Sequence, residues 1–166
     1  MSVLDVMIYP ASVLRKKARP VKRFDEHVRR LVADMFETMS EKGGIGLAAP
    51  QVGRSKRIIV IDTNEPGGRL ALANPKIVWF GKDREPFKEG CLSLPGVDGY
   101  VARPTRVRVR AQRPSDGEWF TLDADGLLAR VLQHEIDHLD GVLFIDRLME
   151  EERLAVEPLL REMEAA

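Results

Sequence analysis

The feature that most constrains this chain is the segment Gln133–Gly141, QHEIDHLDG, which places two of the three histidines four residues apart. Apolar residues recur at helical spacing upstream of it and within it, which predicts an amphipathic helix from about Ala124 to Leu139. The apolar stripe consists of Leu127, Leu128, Val131, Leu132 and Ile136. His134 and His138 lie one turn apart on this stripe, so both imidazoles can bind the same divalent metal. The segment therefore predicts a buried helix that carries a metal site.

The composition of the whole chain is that of a globular protein. Its 166 residues are 44% hydrophobic and include 26 basic and 26 acidic side chains. The hydrophobic content excludes a disordered chain. The charge balance argues against a strongly electropositive nucleic-acid clamp and leaves a local basic patch open. A single cysteine excludes an intramolecular disulfide, and no stretch approaches the roughly 20 apolar residues that span a membrane. We expect one domain over residues 1–166, in the cytoplasm, with no DNA or membrane partner.

Two further helices are predicted, one near each end of the chain. The first begins after Asp25, a favourable N-cap, and ends at Gly43–Gly44. Its apolar face consists of Val28, Leu31, Val32, Met35, Phe36 and Met39. The second runs from Asp146 to the C-terminus and is highly charged. Pro158 within it is expected to kink or break the helix.

Between the helices the pattern is that of short strands. Two short apolar runs, Leu70–Asn74 and Lys76–Phe80, lie on either side of Pro75. The predicted strands are Arg57–Asp62, Val107–Gln112 and Trp119–Leu122. The last two are joined by a turn at Ser115–Gly117, which predicts a hairpin. The strands and helices do not alternate as βαβ units. We therefore expect an α+β fold, with mostly antiparallel sheets packed around a central metal-binding helix, a long N-terminal helix and a C-terminal helix.

Glu135 stands between the two histidines and completes the pattern H-E-x-x-H. On a helix it lies about 100° round from its neighbours, which is too far to be a comfortable third ligand. It can still accept a proton from a water molecule beside the metal. Glu135 is therefore the candidate general base.

Cys91, the only cysteine, is the natural third ligand. It lies in Lys88–Gly96, KEGCLSLPG, beside Gly90, which permits unusual backbone geometry or close approach of a substrate. A lone cysteine could instead be an inert buried residue, but two histidines alone leave a metal site incomplete. A thiolate ligand suits Fe(II) or Zn(II) better than Mg(II) or Ca(II).

A glycine-rich segment, Gly43–Gly53, follows the first helix with the sequence GGIGLAAPQVG. It lacks the Lys-Ser/Thr of a phosphate-binding loop and the strand-to-helix context of a dinucleotide site. It offers exposed backbone groups and the amide of Gln51. From these parts an oxyanion hole or a peptide-binding edge can be built.

Three motifs in this order resemble those of the peptide deformylase family. They are Gly44–Gln51 (GIGLAAPQ), Glu89–Ser93 (EGCLS) and Gln133–His138 (QHEIDH), and they match at every position that the family fixes. They span more than half of the chain. The resemblance implies an enzyme that removes the formyl group from the N-terminal formylmethionine of newly made polypeptides.

The resemblance also implies how the metal is held. It assigns Cys91, His134 and His138 as ligands and Glu135 as the general base and acid. Many similar bacterial enzymes use iron, and others work with zinc. We expect one divalent ion per chain, Fe(II) first, with Zn(II) or Ni(II) as alternatives.

Other positions would contact the substrate. The resemblance implies that the Gln51 side chain and the backbone N–H of Leu92 stabilise the oxyanion. It further implies that the substrate adds as a strand to the backbones of Ile45, Gly46 and Gly90.

The methionine side chain of the substrate needs an apolar pocket. Ile45, Phe87, Leu127 and Val131 could wall it, although ordinary core packing is an equal alternative. Arg103 matches an arginine that contacts the substrate in similar enzymes, with an exposed strand-end arginine as the alternative.

Two other kinds of protein share parts of this pattern. A zincin-type metallopeptidase also has H-E-x-x-H, but it usually takes a third ligand from a downstream Glu or His, and no histidine follows His138. A structural zinc module would need four Cys or His ligands. Here there is one cysteine, and His27 is expected on the surface of the first helix.

Formylated nascent peptides are the implied partner, together with transient contact to the ribosome. In similar bacterial enzymes a terminal helix makes that contact. Here Asp146–Ala166 carries three basic and seven acidic side chains, a poor match for RNA phosphates. We expect a monomer that binds ribosomes weakly.

Overall fold

Two antiparallel sheets and three α-helices form the part of the chain that the computed structural model describes, Ser2–Ala166. The helices are α1 (Glu26–Glu41), α2 (Gly126–Leu139) and α3 (Glu150–Ala165). The strands are β1 (Gly46–Ala48), β2 (Ile58–Asp62), β3 (Arg69–Phe80), β4 (Arg84–Gly90), β5 (Asp98–Pro104), β6 (Arg106–Gln112) and β7 (Trp119–Asp125). The larger sheet has the order β1-β2-β3-β6-β7, and β4 pairs with β5 in a separate hairpin. The predicted α+β class is confirmed.

Helices α1 and α2 lie on opposite faces of the larger sheet. In β2, Ile59 and Ile61 pack in the core that contains α2, whereas Ile58 and Val60 pack with α1. Successive strand residues point to opposite faces, so this alternation places one helix on each side. The metal-binding helix is therefore central, as predicted. Within Ser2–Ala166 no helix has the length and apolar content needed to cross a membrane.

Helix α1 has the predicted ends. Asp25 caps it, because its Oδ1 accepts hydrogen bonds from the backbone N–H groups of His27 at 3.1 Å and Val28 at 3.3 Å. Gly43 follows the helix with a φ of 72°, a left-handed conformation that glycine adopts without strain. His27 is exposed on α1, as expected.

The two apolar runs on either side of Pro75 form one continuous strand, β3. The pairing register with β6 shifts between Ala73 and Lys76, and Asn74 has a φ of 48°. This bulge accommodates a proline that has no N–H to give to the ladder. Asn74 stabilises it, since its side-chain amide donates to the Val21 carbonyl at 2.9 Å.

Helix α2 begins at Gly126, two residues later than predicted, because β7 continues through Asp125. The Cα of Asp125 is still paired with Arg106 of β6, and Asp125 then serves as the N-cap residue. The helix ends before Gly141, which has a φ of 75°. A side chain at Gly141 would also lie 2.5 Å from the Arg15 carbonyl oxygen. Both the backbone conformation and the lack of space therefore require glycine at the predicted end of the helix.

Helix α3 begins at Glu150 rather than at Asp146, and it continues through Pro158. A short 3₁₀ turn, Phe144–Arg147, precedes it. The hydrogen bond that Pro158 cannot make would reach the carbonyl of Leu154, whose side chain is 69% exposed, so water can replace it. Val156 and Leu160 are buried and hold the helix on both sides of the proline, and for this reason the predicted break does not occur.

Candidate active site

The three predicted ligand side chains converge. The ligand atoms of Cys91, His134 and His138 all lie within 4.8 Å of one another. The two imidazole centroids are 5.1 Å apart on α2, and Cys91 Sγ lies 3.4 Å from His138 Nε2. Cys91 reaches the helix because it directly follows β4, which ends at Gly90. The cluster thus joins one loop to one turn of helix.

This donor set fits a divalent metal that accepts sulfur and nitrogen ligands, and it leaves a fourth position open. Burial, followed by the positive charges of His134 and Arg103, holds the pKa of His138 well below its usual value. A neutral imidazole is the form that binds a metal, so His138 is ready to bind. Burial lowers the pKa of His134, but the hydrogen bonds to Cys91 and Glu89 outweigh it and hold that pKa well above its usual value, so a metal must displace a proton there.

Glu89 orients one of the two histidines. Its Oε1 lies 2.9 Å from His134 Nδ1, which leaves Nε2 of His134 to face the ligand cluster. Arg103 Nε donates to Glu89 Oε2 at 2.6 Å, and Arg130 Nη1 donates to the same atom at 2.9 Å. Burial raises the pKa of Glu89, but the hydrogen bonds from His134 and Arg103 outweigh it and lower the pKa to about 2. The carboxylate is therefore ionised throughout the neutral range.

Sequence reasoning missed Glu89 and Arg130. Glu89 is the first residue of the Glu-Gly-Cys motif, and its side chain is 5% exposed. A buried carboxylate requires partners, but the sequence does not show which distant arginines supply them. The strand that carries Glu89 was not predicted either, because the REPFKEG of β4 has no apolar alternation.

Arg103 is not among the residues that line the cavity beside the ligands. It is not an exposed strand-end residue either, because its side chain is 4% exposed. It donates to Glu89 on one side and to Asp137 Oδ2, at 3.0 Å, on the other. These carboxylates compensate a guanidinium that would otherwise be a buried, unpaired charge. The geometry makes Arg103 a support for Glu89 and, through it, for His134.

A cavity of about 380 Å³ opens beside the ligand cluster. Its walls include most of the predicted site residues, namely Ile45, Gly46, Gln51, Phe87, Gly90, Cys91, Leu92, Leu127, Val131, His134 and Glu135. Val131 is buried in the core and also lines the cavity, and Leu127 packs against the same core. These two side chains therefore belong both to the hydrophobic core and to the wall of the cavity.

Gly46 and Gly90 lie on strand edges that face this cavity. Strand β1 is at the edge of the larger sheet, and β4 belongs to a two-stranded hairpin, so each keeps one unpaired edge. A side chain at Gly46 would lie 2.5 Å from Glu135 Oε2 and 2.8 Å from Val131 Cγ1. Glycine is therefore required where β1 approaches α2. The free edges can accept an extended peptide.

The Gln51 amide is held in one orientation. Its Oε1 accepts the backbone N–H of Ala48 at 2.9 Å, and its Nε2 donates to Ser93 Oγ at 3.1 Å. Nε2 also lies 3.4 Å from Cys91 Sγ. The donor end of the amide therefore points at the ligand cluster, next to Leu92. A fixed amide donor beside a metal site is the kind of group that can stabilise a developing oxyanion.

Glu135 is positioned to hold and release a proton. It is 4% exposed, lines the cavity, and its Oε1 has no hydrogen-bond partner among the described residues. Burial raises its pKa to about 7, although the positive charge of His134 opposes the shift. A carboxyl group with a pKa near neutrality is suited to act as both base and acid.

Comparison with known proteins identifies the family. A family profile described as polypeptide deformylase matches residues 3–154 of this chain. The peptide deformylase of Acidobacterium capsulatum is 48% identical over 169 residues, covering 100% of this chain and 98% of that protein. The solved peptide deformylase of Thermotoga maritima is 41% identical with a TM-score of 0.86, covering 90% of this chain and 99% of that one. Arabidopsis thaliana peptide deformylase 1B is 40% identical with a TM-score of 0.92, covering 98% and 91%. This chain therefore belongs to the peptide deformylase family.

Proposed function

We infer that this chain is a metal-dependent hydrolase that removes the N-terminal formyl group from newly made polypeptides and releases formate. The observation that carries this is the Cys91–His134–His138 cluster beside a cavity that also contains Glu135. Family membership over 3–154 leaves the zincin-type alternative without support. We propose that residues 1–166 act as one catalytic domain.

We propose that Cys91, His134 and His138 hold one divalent ion, Fe(II) first, with Zn(II) or Ni(II) as alternatives. The mixed thiolate and imidazole donors favour these three metals over Mg(II) and Ca(II). When bound, the ion supplies Lewis acidity, which polarises the formyl carbonyl and makes water more acidic. Glu89 keeps His134 in the orientation that ligation needs.

Glu135 transfers the proton. Its unpartnered Oε1 accepts a proton from the attacking water, and the same carboxyl group then gives that proton to the leaving amine as the formyl C–N bond breaks. Gln51 Nε2 and the backbone N–H of Leu92 stabilise the negative charge that develops on the formyl oxygen. Both groups act in the transition state, so their loss should lower turnover.

The substrate backbone adds as a strand along Ile45, Gly46 and Gly90, whose edges face the cavity. The methionine side chain enters the apolar part of the cavity between Phe87 and Leu127, with Ile45 and Val131 completing the wall. Arg103 contributes through Glu89 and does not contact the substrate.

We further propose that the protein is a cytoplasmic monomer that contacts ribosomes transiently, because nascent chains are its substrate. The segment Asp146–Ala166 carries three basic and seven acidic residues and gives little electrostatic support for RNA binding. Deleting Val156–Ala166 would also remove the buried Val156 and Leu160 from the core, so a truncation must be checked for folding.

An assay on three matched peptides tests the function. Protein purified without oxygen should release formate from a formyl-methionyl tripeptide. It should leave the acetyl-methionyl analogue and the internal bonds of an unblocked peptide uncut. Cleavage of the internal bonds would favour a metallopeptidase, and the absence of formate release by metal-loaded protein would contradict the proposal.

A further inference from the structure

The larger sheet has one uncovered area, on the side where α1 packs. In β6, the residues Val107, Val109 and Ala111 are buried in the core that contains α2. The alternate residues therefore point to the other side. That side is covered by α1 over β2 and part of β3, but no residue of β6 or β7 belongs to the α1 core. We call the uncovered area the outer sheet face; its residues are Lys76, Trp79, Arg106, Arg108, Arg110, Trp119, Thr121, Asp123 and Asp125.

The outer sheet face is basic, although the chain as a whole has no net charge. It carries four basic side chains and two acidic ones. Arg108 is paired with Asp123 at 2.7 Å. Lys76, Arg106 and Arg110 have no carboxylate within 4.0 Å among the described residues. Arg106 lies near the charge of Asp123 and opposite Asp125 on β7, whereas Lys76 and Arg110 have no carboxylate close by in the described part of the chain. The face therefore keeps a net positive charge that is available to an external anion.

Both tryptophans of the chain lie on this face, 44% and 51% exposed. The Arg106 guanidinium carbon lies 5.8 Å from the centroid of the Trp79 ring, and that of Arg110 lies 4.7 Å from the Trp119 ring. The two pairs stand at opposite ends of β6. Tryptophan is enriched at interfaces, where its large ring supplies contact area and its N–H can reach a partner.

We propose that the outer sheet face binds single-stranded RNA. Free arginines on a sheet would contact the phosphates, and the exposed faces of Trp79 and Trp119 would stack on bases. A recess of about 370 Å³, lined by Trp79, Arg106 and Asp125 among others, provides room for one base at one end of β6. The charge of this face is complementary to RNA, which the acidic segment Asp146–Ala166 is not. The inference stands on this surface alone and does not depend on the deformylase activity.

Titration of a labelled oligouridylate of about twenty nucleotides, followed by fluorescence anisotropy, tests the charge component. Between about 50 and 200 mM salt, affinity should fall as the salt rises, with a log–log slope of about −0.7 per phosphate contact. The double variant Arg106→Ser/Arg110→Ser should bind at least about tenfold more weakly at low salt, with a slope shallower by about 1.4. The matched control is Arg54→Ser/Arg161→Ser, which removes the same charge from exposed positions elsewhere and should leave the slope unchanged.

The stacking component is tested at Trp119. Trp119→Ala should weaken binding at least about fivefold without changing the salt slope, and Trp119→Phe should restore most of it. All variants should keep the melting temperature and the formate release of the parent protein, which separates loss of RNA binding from loss of folding or catalysis.

Three outcomes would overturn the proposal. The first is the absence of saturable RNA binding by the parent protein at low salt. The second is an equal loss of affinity in the Arg54→Ser/Arg161→Ser control. The third is sedimentation that shows a dimer of the RNA-free protein that Trp119→Ala dissociates, which would make this face an interface between copies of the chain.

Discussion

Arginine serves two different purposes on two consecutive strands of this protein, which belong to different sheets. Arg103 on β5 is buried, and both of its carboxylate partners are in place. Arg106, three residues later on β6, lies on the outer sheet face without an ion-pair partner among the described residues. A buried guanidinium without a partner would cost several kcal/mol, whereas an exposed one is solvated by water. The buried charge therefore supports the active site, and the exposed one remains available to a ligand.

The difference predicts where the chain is sensitive to change. Around Glu89 each charge depends on the others, so a single substitution leaves an uncompensated buried group. On the outer sheet face the same kind of substitution should leave folding and catalysis intact. Four experiments test this difference, from the largest expected effect to the smallest.

The largest effect is expected at Glu135. Glu135→Gln keeps the shape of the side chain but removes the base, so the rate of formate release should fall by at least about 100-fold. Metal content should stay at the parent level, since Glu135 is outside the ligand cluster. Metal analysis and the formate assay on one sample check both. Near-normal turnover would show that another group accepts the proton.

The next effect is on metal affinity. Glu89→Gln removes the negative charge that orients His134, and a loss of about 10–100-fold in metal affinity is expected. Glu85→Gln is the matched control, because Glu85 lies on the same strand with an exposed side chain. Competition with a chelator measures both constants. Equal affinities in the two variants would remove Glu89 from its supporting role.

The two buried glutamates should respond to pH in opposite directions in the metal-free protein. The pKa of Glu89 falls from 4.5 to about 2 on folding, so its stabilisation is present above pH 4.5 and is lost as the pH falls towards 2. The pKa of Glu135 rises from 4.5 to about 7 on folding, so the folded state disfavours its charged form. The free energy of unfolding therefore decreases as the pH rises from 4.5 to 7.

Thermal melts across this range check the signs. Glu89→Gln should melt below the parent at neutral pH, and Glu135→Gln should melt above it. Both differences should shrink in acid, the first below about pH 4.5 and the second as the pH falls from 7 to 4.5. Differences that do not change with pH would mean that neither carboxyl group has a shifted pKa.

The smallest effect is expected on the outer sheet face. Arg110→Ser alone should change the free energy of unfolding by no more than about 0.5 kcal/mol. Formate release should stay within about twofold of the parent, since Arg110 does not line the cavity. Urea unfolding and the formate assay measure the two quantities. A large loss of stability or of formate release would contradict the distinction between the buried and the exposed arginines.

Local periodicity predicted the parts of the site that lie on one element. The one-turn spacing of His134 and His138 survives in α2, and the apolar stripe of α1 packs as expected. The incomplete two-histidine site pointed to Cys91, the only cysteine, which comes from a distant loop, and the motif resemblance assigned the same residue. The supports were not predictable, because Glu89, Arg103 and Arg130 meet only when β4, β5 and α2 are packed together.

Two other differences have tertiary causes that the sequence pattern does not reveal. The bulge at Asn74 depends on side-chain hydrogen bonds to Val21, which is far away in the chain. Helix α3 tolerates Pro158 because Val156 and Leu160 anchor it in the core. Propensity at a single residue gives way to tertiary packing in both cases.

The central claim is that one metal ion held by Cys91, His134 and His138 drives deformylation. Protein stripped of metal under anaerobic conditions and titrated with Fe(II) tests it most directly, with formate release measured at each addition. The account predicts a rate that rises linearly and saturates at one equivalent per chain, and no such saturation for Cys91→Ser. Full activity before any metal is added, or the same titration curve for Cys91→Ser, would contradict it.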